Sequence, residues 1–202
     1  MITIALAKGR VYKAFNAFLA DKDLAGYADA LQEGGRDLFR VVGNVKFIFA
    51  KGKDVPTYVE QGVADLGVVG SDTITERTYN VLNVSELPFG QCRLAIAGPS
   101  ALDESDIQIV ATSFPNLTRQ YFNQNKQDVD IVFLNGSVEL APILGLSDAI
   151  VDIVQTGTTL KENDLREYKT ILPVQARLIA NKQSFYIKEE GIYQFMQEIG
   201  VV

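Results

Sequence analysis

The sequence predicts an α/β protein built as two lobes with mainly parallel sheets. Short apolar, β-rich runs alternate with amphipathic segments of helical spacing along the whole chain, a pattern typical of strands joined by helices. The 202 residues contain enough such units for two small cores, and Pro88-Phe89-Gly90 separates one set from the next. We therefore expect residues 1–90 with about 175–202 to form lobe I, and residues 91–174 to form lobe II.

The first half of the chain opens with an apolar, β-rich run that predicts a strand. A helix follows, because apolar residues recur at helical spacing from Val11 to Leu19. Gly43-Asn44 lies between two β-rich pieces and indicates a hairpin. Asp54 is typical of a helix N-cap, with Pro56 in the first turn. The predicted elements are strands at 2–6, within 37–50 and at 66–69, helices at 11–19 and 54–61, and a further helix capped by Ser71 or Asp72.

The second half repeats the alternation. Gly98-Pro99 ends one strand, and Pro115-Asn116 opens a helix. Pro142 falls inside a predicted helix, where it must lie early or kink it. Apolar residues at helical spacing predict one closing helix from Ser184 to Ile199. The predicted elements are strands at 94–97, 108–112, 130–134, 149–154 and around Ile171 and Leu178, with helices at 115–125, 137–144 and 184–199 and a short helix after the loop that follows Val154.

Composition restricts the partners and the compartment. The net charge is −6 and no basic stripe carries interleaved aromatics, so nucleic acid is not expected as a partner, whereas a local basic pocket for a nucleotide stays open. Cys92 is the single cysteine, which excludes an intramolecular disulfide and indicates a reducing compartment. No basic leader and no bilayer-length apolar run appear, so we expect a cytoplasmic protein without membrane contact.

The chain contains no histidine. Ser-His-Asp and Cys-His catalysis and every histidine-ligated metal site are therefore excluded. The usual general base near neutral pH is also missing. Any chemistry has to depend on positioning, cations, backbone dipoles and carboxylates.

The clearest chemical pattern is the segment 149–160. An apolar strand carries one acid, Asp152, and is followed by a loop of threonine and glycine and then by a helix start. Backbone N–H groups of such a loop converge on a phosphate, Gly157 permits a close approach, and the threonine hydroxyls add donors. Asp152 is suited to bind ribose hydroxyls or to position Mg²⁺. The pattern indicates a phosphate-binding loop, with an ordinary turn as the alternative.

Two cations flank Gly9 directly after the first strand, Lys8 and Arg10. Ligands of open α/β sheets bind outside the carboxyl ends of strands, so these cations are candidates for binding phosphate groups. The alternative for each of them is a solvated surface charge.

The acid and the Thr-Gly-x-Thr-Leu at 156–160 resemble the loop that binds phosphoribosyl pyrophosphate (PRPP) in phosphoribosyltransferases. That superfamily usually has two adjacent acids, whereas here Ile153 follows Asp152. Six segments resemble one family within it, the ATP phosphoribosyltransferases, and they run in order along most of the chain. They are Lys8-Gly9-Arg10, 53–60, 64–70, 91–94, 114–118 and 134–142.

The resemblance implies a fold of two lobes like a type II periplasmic binding protein, with a ligand cleft between the lobes and the PRPP loop on lobe II. It implies condensation of ATP, through adenine N1, with PRPP to give N1-(5-phosphoribosyl)-ATP and pyrophosphate, the first step of histidine biosynthesis. The length resembles the short form of the family, which works in a hetero-oligomer with a regulatory subunit related to histidyl-tRNA synthetase. Mg²⁺ is the implied cofactor, carried by the substrate phosphates and not by dedicated protein ligands.

The resemblance also implies roles for individual residues, each with a plainer alternative. Asp72 is equally well explained as a helix N-cap, Cys92 as a core residue and Glu139 as a solvated charge, and Lys51 stands where the family usually has arginine. The implied ATP contacts are Lys8, Gly9, Arg10, Lys51, Asp72 and Cys92. The implied PRPP contacts are Asp152, Thr156, Gly157, Thr158, Thr159 and Leu160. The implied catalytic residues are Arg10, Glu139 and Asp152.

Two other functions stay open at this point. A non-catalytic solute-binding protein would have the same two lobes, although the missing export signal and the Thr-Gly loop disfavour it. A phosphoribosyltransferase with a different base as acceptor would share the loop.

Overall fold

The computed structural model describes residues 1–22, 24–31 and 37–202, which divide into two compact units. The first unit comprises Met1–Gly90 and Gln175–Val202, and the second comprises Gln91–Val174. Each unit has one sheet flanked by helices and its own apolar core. The predicted α/β class with two lobes is confirmed.

The first unit begins with a strand that alternates with helices. Its strands are β1 (Ile2–Ala7), β2 (Phe39–Val42), β3 (Val45–Ala50), β4 (Leu66–Gly70) and β5 (Val81–Glu86), and β11 (Ala176–Asn181) returns from the second unit. Its helices are α1 (Arg10–Asp21), α2 (Ala25–Ala30), α3 (Val55–Glu60), α4 (Ser71–Glu76), α8 (Lys182–Ile187) and α9 (Glu189–Glu198).

The sheet of the first unit is mixed and not mainly parallel as predicted. Its strand order is β2-β3-β1-β4-β11-β5. Only β1 pairs in parallel, with β3 on one side and β4 on the other. The predicted hairpin at Gly43-Asn44 makes β2 antiparallel to β3, and β11 runs antiparallel to β4 and β5. The carboxyl ends of β1, β3 and β4 consequently meet at one edge of the sheet.

Helix α1 forms where the apolar spacing predicts it. Val11, Phe15 and Leu19 lie one turn apart on one face and are buried in the core of the first unit. The ring of Phe15 packs against Phe89, with 5.9 Å between the ring centroids. This packing places the first turn of α1, with Arg10, directly after the carboxyl end of β1.

The predicted closing helix at 184–199 is wrong in one respect, because it is two helices. The backbone leaves helical geometry at Lys188 (φ −112°, ψ 27°), between α8 and α9. Lys188 Nζ donates to both carboxylate oxygens of Asp65 at 2.9 and 3.0 Å, and Asp65 also accepts from Thr3 N at 2.8 Å. A distant buried carboxylate therefore accompanies the break, and a local helical pattern cannot predict it.

Asp65→Ala is expected to lower the free energy of unfolding by about 2 kcal/mol. Removing one partner of a buried pair costs about 3–5 kcal/mol, and the value here is smaller because the Lys188 side chain is 43% exposed while that of Asp65 is 3% exposed. Urea unfolding of both proteins measures the difference. Glu86→Ala, which breaks the more exposed pair with Arg177, is the control and should change stability by less than about 0.5 kcal/mol.

The same pair makes stability depend on pH. Burial alone would raise the pKa of Asp65, but hydrogen bonds from Lys188, Ser184 and Thr3 and the charge of Lys188 outweigh it and lower the pKa. The stabilisation is therefore complete above the unfolded pKa of about 3.9 and is lost as the pH falls through the lower folded value. Wild type and Asp65→Ala should converge in acid; a constant difference from neutral pH to about pH 3 would contradict this.

The second unit is also a mixed sheet covered by helices on both faces. Its strands are β6 (Cys92–Pro99), β7 (Ile109–Thr112), β8 (Asp130–Phe133), β9 (Ala149–Val154) and β10 (Leu165–Val174), in the order β10-β6-β9-β7-β8. Its helices are α5 (Pro115–Gln124), α6 (Leu140–Ile143) and α7 (Thr158–Glu162). β7 is parallel to β8 and β9, whereas β6 is antiparallel to β9 and β10.

Strand β9 separates two apolar clusters in the second unit. Ala149 and Val151 belong to the cluster that includes Phe122 of α5. Ile150 and Val154 belong to the opposite cluster, with Leu160 of α7. Because side chains alternate along a strand, Asp152 lies on the same face as Ile150 and Val154.

Candidate active site

The predicted cations of the first unit gather at the carboxyl ends of its parallel strands. Lys8 N donates to Ala50 O at 2.8 Å, which places Lys8 beside the residue that precedes Lys51. Gly9, with a positive φ of 86°, joins β1 to α1, and Arg10 is the first residue of that helix. Lys8 and Lys51 are exposed, and Arg10 is half-buried. This edge, which we call the basic edge, consists of Lys8, Arg10 and Lys51.

Arg10 is held in place by the backbone. Its Nη1 donates to Gly90 O at 2.7 Å, and its charge acts on Asp72. This is the one hydrogen bond of the guanidinium to the described residues, so its other donors can meet a ligand. A planar cation fixed in this way is suited to bind a phosphate through two bonds.

Asp72 is a buried carboxylate next to the basic edge. Its side chain is 7% exposed, and its Oδ1 has no hydrogen-bond partner among the described residues. Oδ1 lies 2.1 Å from the position that a Cβ on Gly70 would take, so any side chain at position 70 would displace the Asp72 carboxylate. Burial raises the pKa of Asp72, although the Thr73 N–H and the charges of Arg10 and Lys53 act in the opposite direction.

The N-cap explanation of Asp72 is not supported. Gly70 is the N-cap of α4, and no side chain caps this helix, so the prediction of Ser71 or Asp72 as the cap was wrong. A buried carboxylate oxygen without a partner is costly, which favours a role in binding a donor group over a structural role.

In the second unit, the loop between β9 and α7 is a tight turn built around a left-handed glycine. Gly157 has the left-handed conformation (φ 77°, ψ 7°) that other residues rarely adopt, and α7 begins at Thr158. The hydroxyls of Thr156 and Thr158 are 2.9 Å apart, and Thr158 N lies 3.4 Å from Thr156 Oγ1. Thr156, Thr158 and Thr159 are exposed, so their side chains lie at the surface of this turn.

Leu160 differs from the other residues predicted to contact PRPP. Its side chain is 8% exposed and belongs to the apolar cluster with Ile150 and Val154. It therefore anchors α7 against the sheet, and any contact of Leu160 with a ligand comes from its backbone.

The two predicted carboxylates of the second unit lie on the same side of its sheet. Asp152 is half-buried and stands opposite Ala95 in the register of β6 and β9. Glu139 is the N-cap residue of α6, between Val138 and Ala141, which pack in the cluster on this face of the sheet. Arg10, the third predicted catalytic residue, belongs to the first unit.

Cys92 is the predicted ATP contact with the weakest structural support. It is the first residue of β6 and packs against the apolar cluster that includes Leu94 and Val174. Asp152 faces the other cluster. This environment favours the alternative of a small core residue.

Neither a metal site nor a membrane span is formed by the described chain. Within residues 1–22, 24–31 and 37–202, no group of three or more Cys, Asp or Glu side chains could hold a metal ion. No helix in that part of the chain is long and apolar enough to cross a bilayer.

Fold and site together define a class of protein. It is an α/β protein of two lobes in which the loops that follow β1 and β9 contain hydrogen-bond donors and cations suited to a ligand with phosphate groups. A sequence model of the HisG family, described as ATP phosphoribosyltransferase, matches residues 51–200. The chain belongs to the ATP phosphoribosyltransferase family, and the resemblance found in its motifs is confirmed.

Individual relatives agree over the full chain. The ATP phosphoribosyltransferase of Staphylococcus carnosus (strain TM300) is 48% identical over 202 residues, which cover 100% of this chain and 98% of that protein. The enzyme of Staphylococcus saprophyticus is 45% identical over 201 residues, covering 100% of this chain and 97% of that protein.

Solved structures support the same fold. A chain of the ATP phosphoribosyl transferase (HisG:HisZ) complex from Thermotoga maritima matches with a TM-score of 0.81 and 33% identity, over 98% of this chain and 96% of that chain. The periplasmic aliphatic sulphonate binding protein SsuA from Escherichia coli matches with a TM-score of 0.67 over 98% of this chain and 70% of that chain. Its identity of 11% shows the fold alone, so the predicted likeness to periplasmic binding proteins is confirmed without supporting a solute-binding function.

Proposed function

We propose that this protein transfers the phosphoribosyl group of PRPP to N1 of the adenine ring of ATP, through a PRPP loop at 155–160 and an ATP site at the basic edge. The family membership establishes the reaction, the first step of histidine biosynthesis. The observation that carries the residue assignment is the turn at Gly157, whose left-handed backbone presents amides and threonine hydroxyls together.

The loop at 155–160 is proposed to hold the 5′-phosphate of PRPP. Its donors are the amides after Gly157 and the hydroxyls of Thr156, Thr158 and Thr159. Asp152 carries a negative charge that would repel the phosphate, so its proposed partners are the ribose hydroxyls. Glu139, on the same side of the sheet, is proposed to face the ribose as well.

The basic edge is proposed to bind the phosphates of ATP. Lys8 and Lys51 supply point charges, and Arg10 supplies a fork held by Gly90 O. Asp72 Oδ1, buried and without a partner, is the proposed acceptor for a donor group of the nucleotide. The proposal that Cys92 contacts the nucleotide rests on the family resemblance alone.

Asp72→Asn tests this assignment, because it should increase stability while weakening ATP binding. Since burial raises the pKa of Asp72, its ionised form destabilises the fold above the unfolded pKa of about 3.9. Asparagine should raise the free energy of unfolding at neutral pH, and the gain should vanish in acid, where the aspartic acid is neutral. The KM for ATP should rise. An unchanged KM for ATP would remove Asp72 from the site.

The chemistry requires little from a general base. The lone pair of adenine N1 attacks C1 of PRPP, the N1–C1 bond forms, and the C1–O bond breaks with its electrons leaving on pyrophosphate. N1 has no proton to lose before it attacks, which agrees with a chain that lacks histidine. Positive character develops on the ribose, where Asp152 and Glu139 are proposed to stabilise it. The main contribution of the protein is to hold the two substrates in line, and proximity can lower the activation free energy by about 7–11 kcal/mol.

Mg²⁺ is proposed to arrive with the substrate phosphates. Mg²⁺ usually keeps several waters and binds through one or two carboxylates and phosphate oxygens, so it does not require a cluster of protein ligands. Asp152 is the residue suited to hold it. When bound, the ion neutralises charge on the departing pyrophosphate.

Two further assignments rest on likeness. The Thermotoga maritima relative is a HisG:HisZ complex, and we propose that this chain likewise works in a hetero-oligomer with a regulatory subunit related to histidyl-tRNA synthetase. A cytoplasmic location is proposed from the single cysteine and from the biosynthetic role.

The deciding assay measures pyrophosphate release from PRPP with ATP as acceptor, with and without the regulatory subunit. Release with ATP but not with free bases is expected. Release with a free base instead would assign a different acceptor, and binding of a small anion without turnover would favour the solute-binding alternative.

A further inference from the structure

Arg93 is the second residue of β6, the inner strand that pairs with β9 beside the proposed PRPP loop. It stands opposite Val154, the last residue of β9, in the register of β6 and β9. Its side chain consequently lies on the same face of the sheet as Val154 and Asp152. The residue belongs to a motif of the family resemblance, but no role was predicted for it from the sequence.

An irregularity in β10 places Thr170 beside the Glu167 carboxylate that pairs with the Arg93 guanidinium. Residues three apart on a regular strand point to opposite faces. The register shift between Glu167 and Lys169 changes this parity, and Thr170 Oγ1 donates to Glu167 Oε1 at 2.9 Å. Glu167 stands opposite Ala97 and Thr170 opposite Ala95, so small side chains leave room for the pair above β6.

Glu167 forms a hydrogen-bonded ion pair with one edge of the Arg93 guanidinium. Arg93 Nε donates to the two carboxylate oxygens at 2.8 and 2.9 Å, and Nη2 donates to Oε2 at 2.5 Å. Hydrogen bonds from Arg93 lower the pKa of Glu167, although burial acts against them, so the carboxylate stays ionised at neutral pH. The side chain of Arg93 is 35% exposed and that of Glu167 is 24% exposed. The carboxylate of Glu167 neutralises the charge of Arg93.

The other edge of the guanidinium reaches the loop. Arg93 Nη1 donates to Gln155 O at 3.1 Å, at the first residue after β9. Gln155 is two residues before Gly157, so the bond fixes the chain just where it enters the turn. The position of Gln155 therefore affects the groups that come next in the turn, which are the hydroxyls of Thr156 and Thr158 and the amide of Thr158.

We infer that Arg93, clamped by Glu167, is a positioning residue that sets the PRPP loop through the Gln155 carbonyl and does not bind the phosphate itself. The inference rests on the proposed function of the loop. Its physical basis is that pre-ordering a loop removes the entropy that ligand binding would otherwise lose. An arginine engaged on both edges has little left for a ligand, whereas its planar fork joins two elements rigidly.

Glu167→Gln distinguishes the two roles of Arg93 by the sign of the effect. If Arg93 positions the loop, the weaker clamp loosens Gln155, and the KM for PRPP at saturating ATP rises about threefold to tenfold. If Arg93 is a phosphate ligand, loss of the neutralising carboxylate frees its charge, and the KM for PRPP falls. A fall would overturn the inference.

Substitutions of Arg93 itself complete the test and are assayed in the presence of the regulatory subunit. Arg93→Met should raise the KM for PRPP about tenfold or more, and Arg93→Lys should lie between it and wild type because lysine keeps the charge but loses the fork. The KM for ATP should not change in either variant. Glu167→Gln should add nothing in the Arg93→Met background, because both act through one contact. Equal rises in both KM values, or additive effects, would indicate a general structural role and overturn the inference.

Two comparisons keep the outcomes separate. Arg177→Lys disturbs a similar arginine–glutamate pair between neighbouring strands of the first unit and should leave the KM for PRPP unchanged. Gly157→Val is measured in parallel. If it leaves the KM for PRPP unchanged, the loop assignment itself fails; if it raises that KM while Arg93→Met does not, only the positioning role fails.

Discussion

Arg10→Ala is expected to lower kcat/KM at least 100-fold while the protein stays folded. Arg10 is the first residue of α1, close to the carboxyl end of β1, and its guanidinium donates to Gly90 O at 2.7 Å. The cation is therefore already in a fixed position when a substrate phosphate binds or when charge develops on it during the reaction. Removing one preorganised donor from an active site typically costs about 10²–10³ in rate. Steady-state kinetics with ATP and PRPP provide the measurement.

The stability of the same variant separates catalysis from folding. Loss of the bond to Gly90 O should cost about 1–2 kcal/mol, far too little to unfold the chain at room temperature. Lys13→Ala removes an exposed cation one turn further along α1 and is the matched control, with near-normal kinetics expected. Near-normal turnover in Arg10→Ala would reject the role of Arg10.

Gly157→Val is expected to weaken PRPP binding at least tenfold. A Cβ at this position would meet only Val154 Cγ1 at 4.0 Å, so the substitution causes no collision. The cost arises from the backbone, because a β-branched residue at a φ of 77° is strained and moves toward negative φ. That movement turns the Thr158 amide and the neighbouring hydroxyls away from their common point. Calorimetry with PRPP measures the affinity.

Gly145→Val provides a control with the same chemistry in another place. Gly145 also has a positive φ, 72°, with open space around its Cβ position, and it lies in the turn after α6 of the same unit. Both variants should lose similar stability, about 1 kcal/mol or more, but only Gly157→Val should lose PRPP affinity. Equal PRPP affinity in the two variants would mean that the turn at Gly157 is not the phosphate site.

Local patterns in the sequence predicted most of the elements and the position of the candidate site. The apolar spacing from Val11 to Leu19 predicted α1, Gly43-Asn44 predicted the hairpin, and the strand at 149–154 with its Thr-Gly loop predicted β9 and the turn at Gly157. These features are local, because each depends on neighbouring residues and on the conformations that glycine alone adopts easily.

Other features were missed because they depend on distant partners. No strand was predicted for β5 and no helix for α2, which have weak local signals. The break at Lys188 follows the distant carboxylate of Asp65. The antiparallel pairs of β6 with β9 and β10, and of β11 with β4 and β5, also join strands that lie far apart in the sequence.

The sequence by itself determined the α/β class, the family, the glycine turn after β9 and the absence of histidine chemistry, because these depend on residue types and short-range order. Tertiary structure alone decided that Asp72 is buried with one oxygen unpartnered, and that Arg93 joins Glu167 to Gln155. Such contacts depend on strand register and on a bulge, and a shift of one residue moves each side chain to the other face of the sheet.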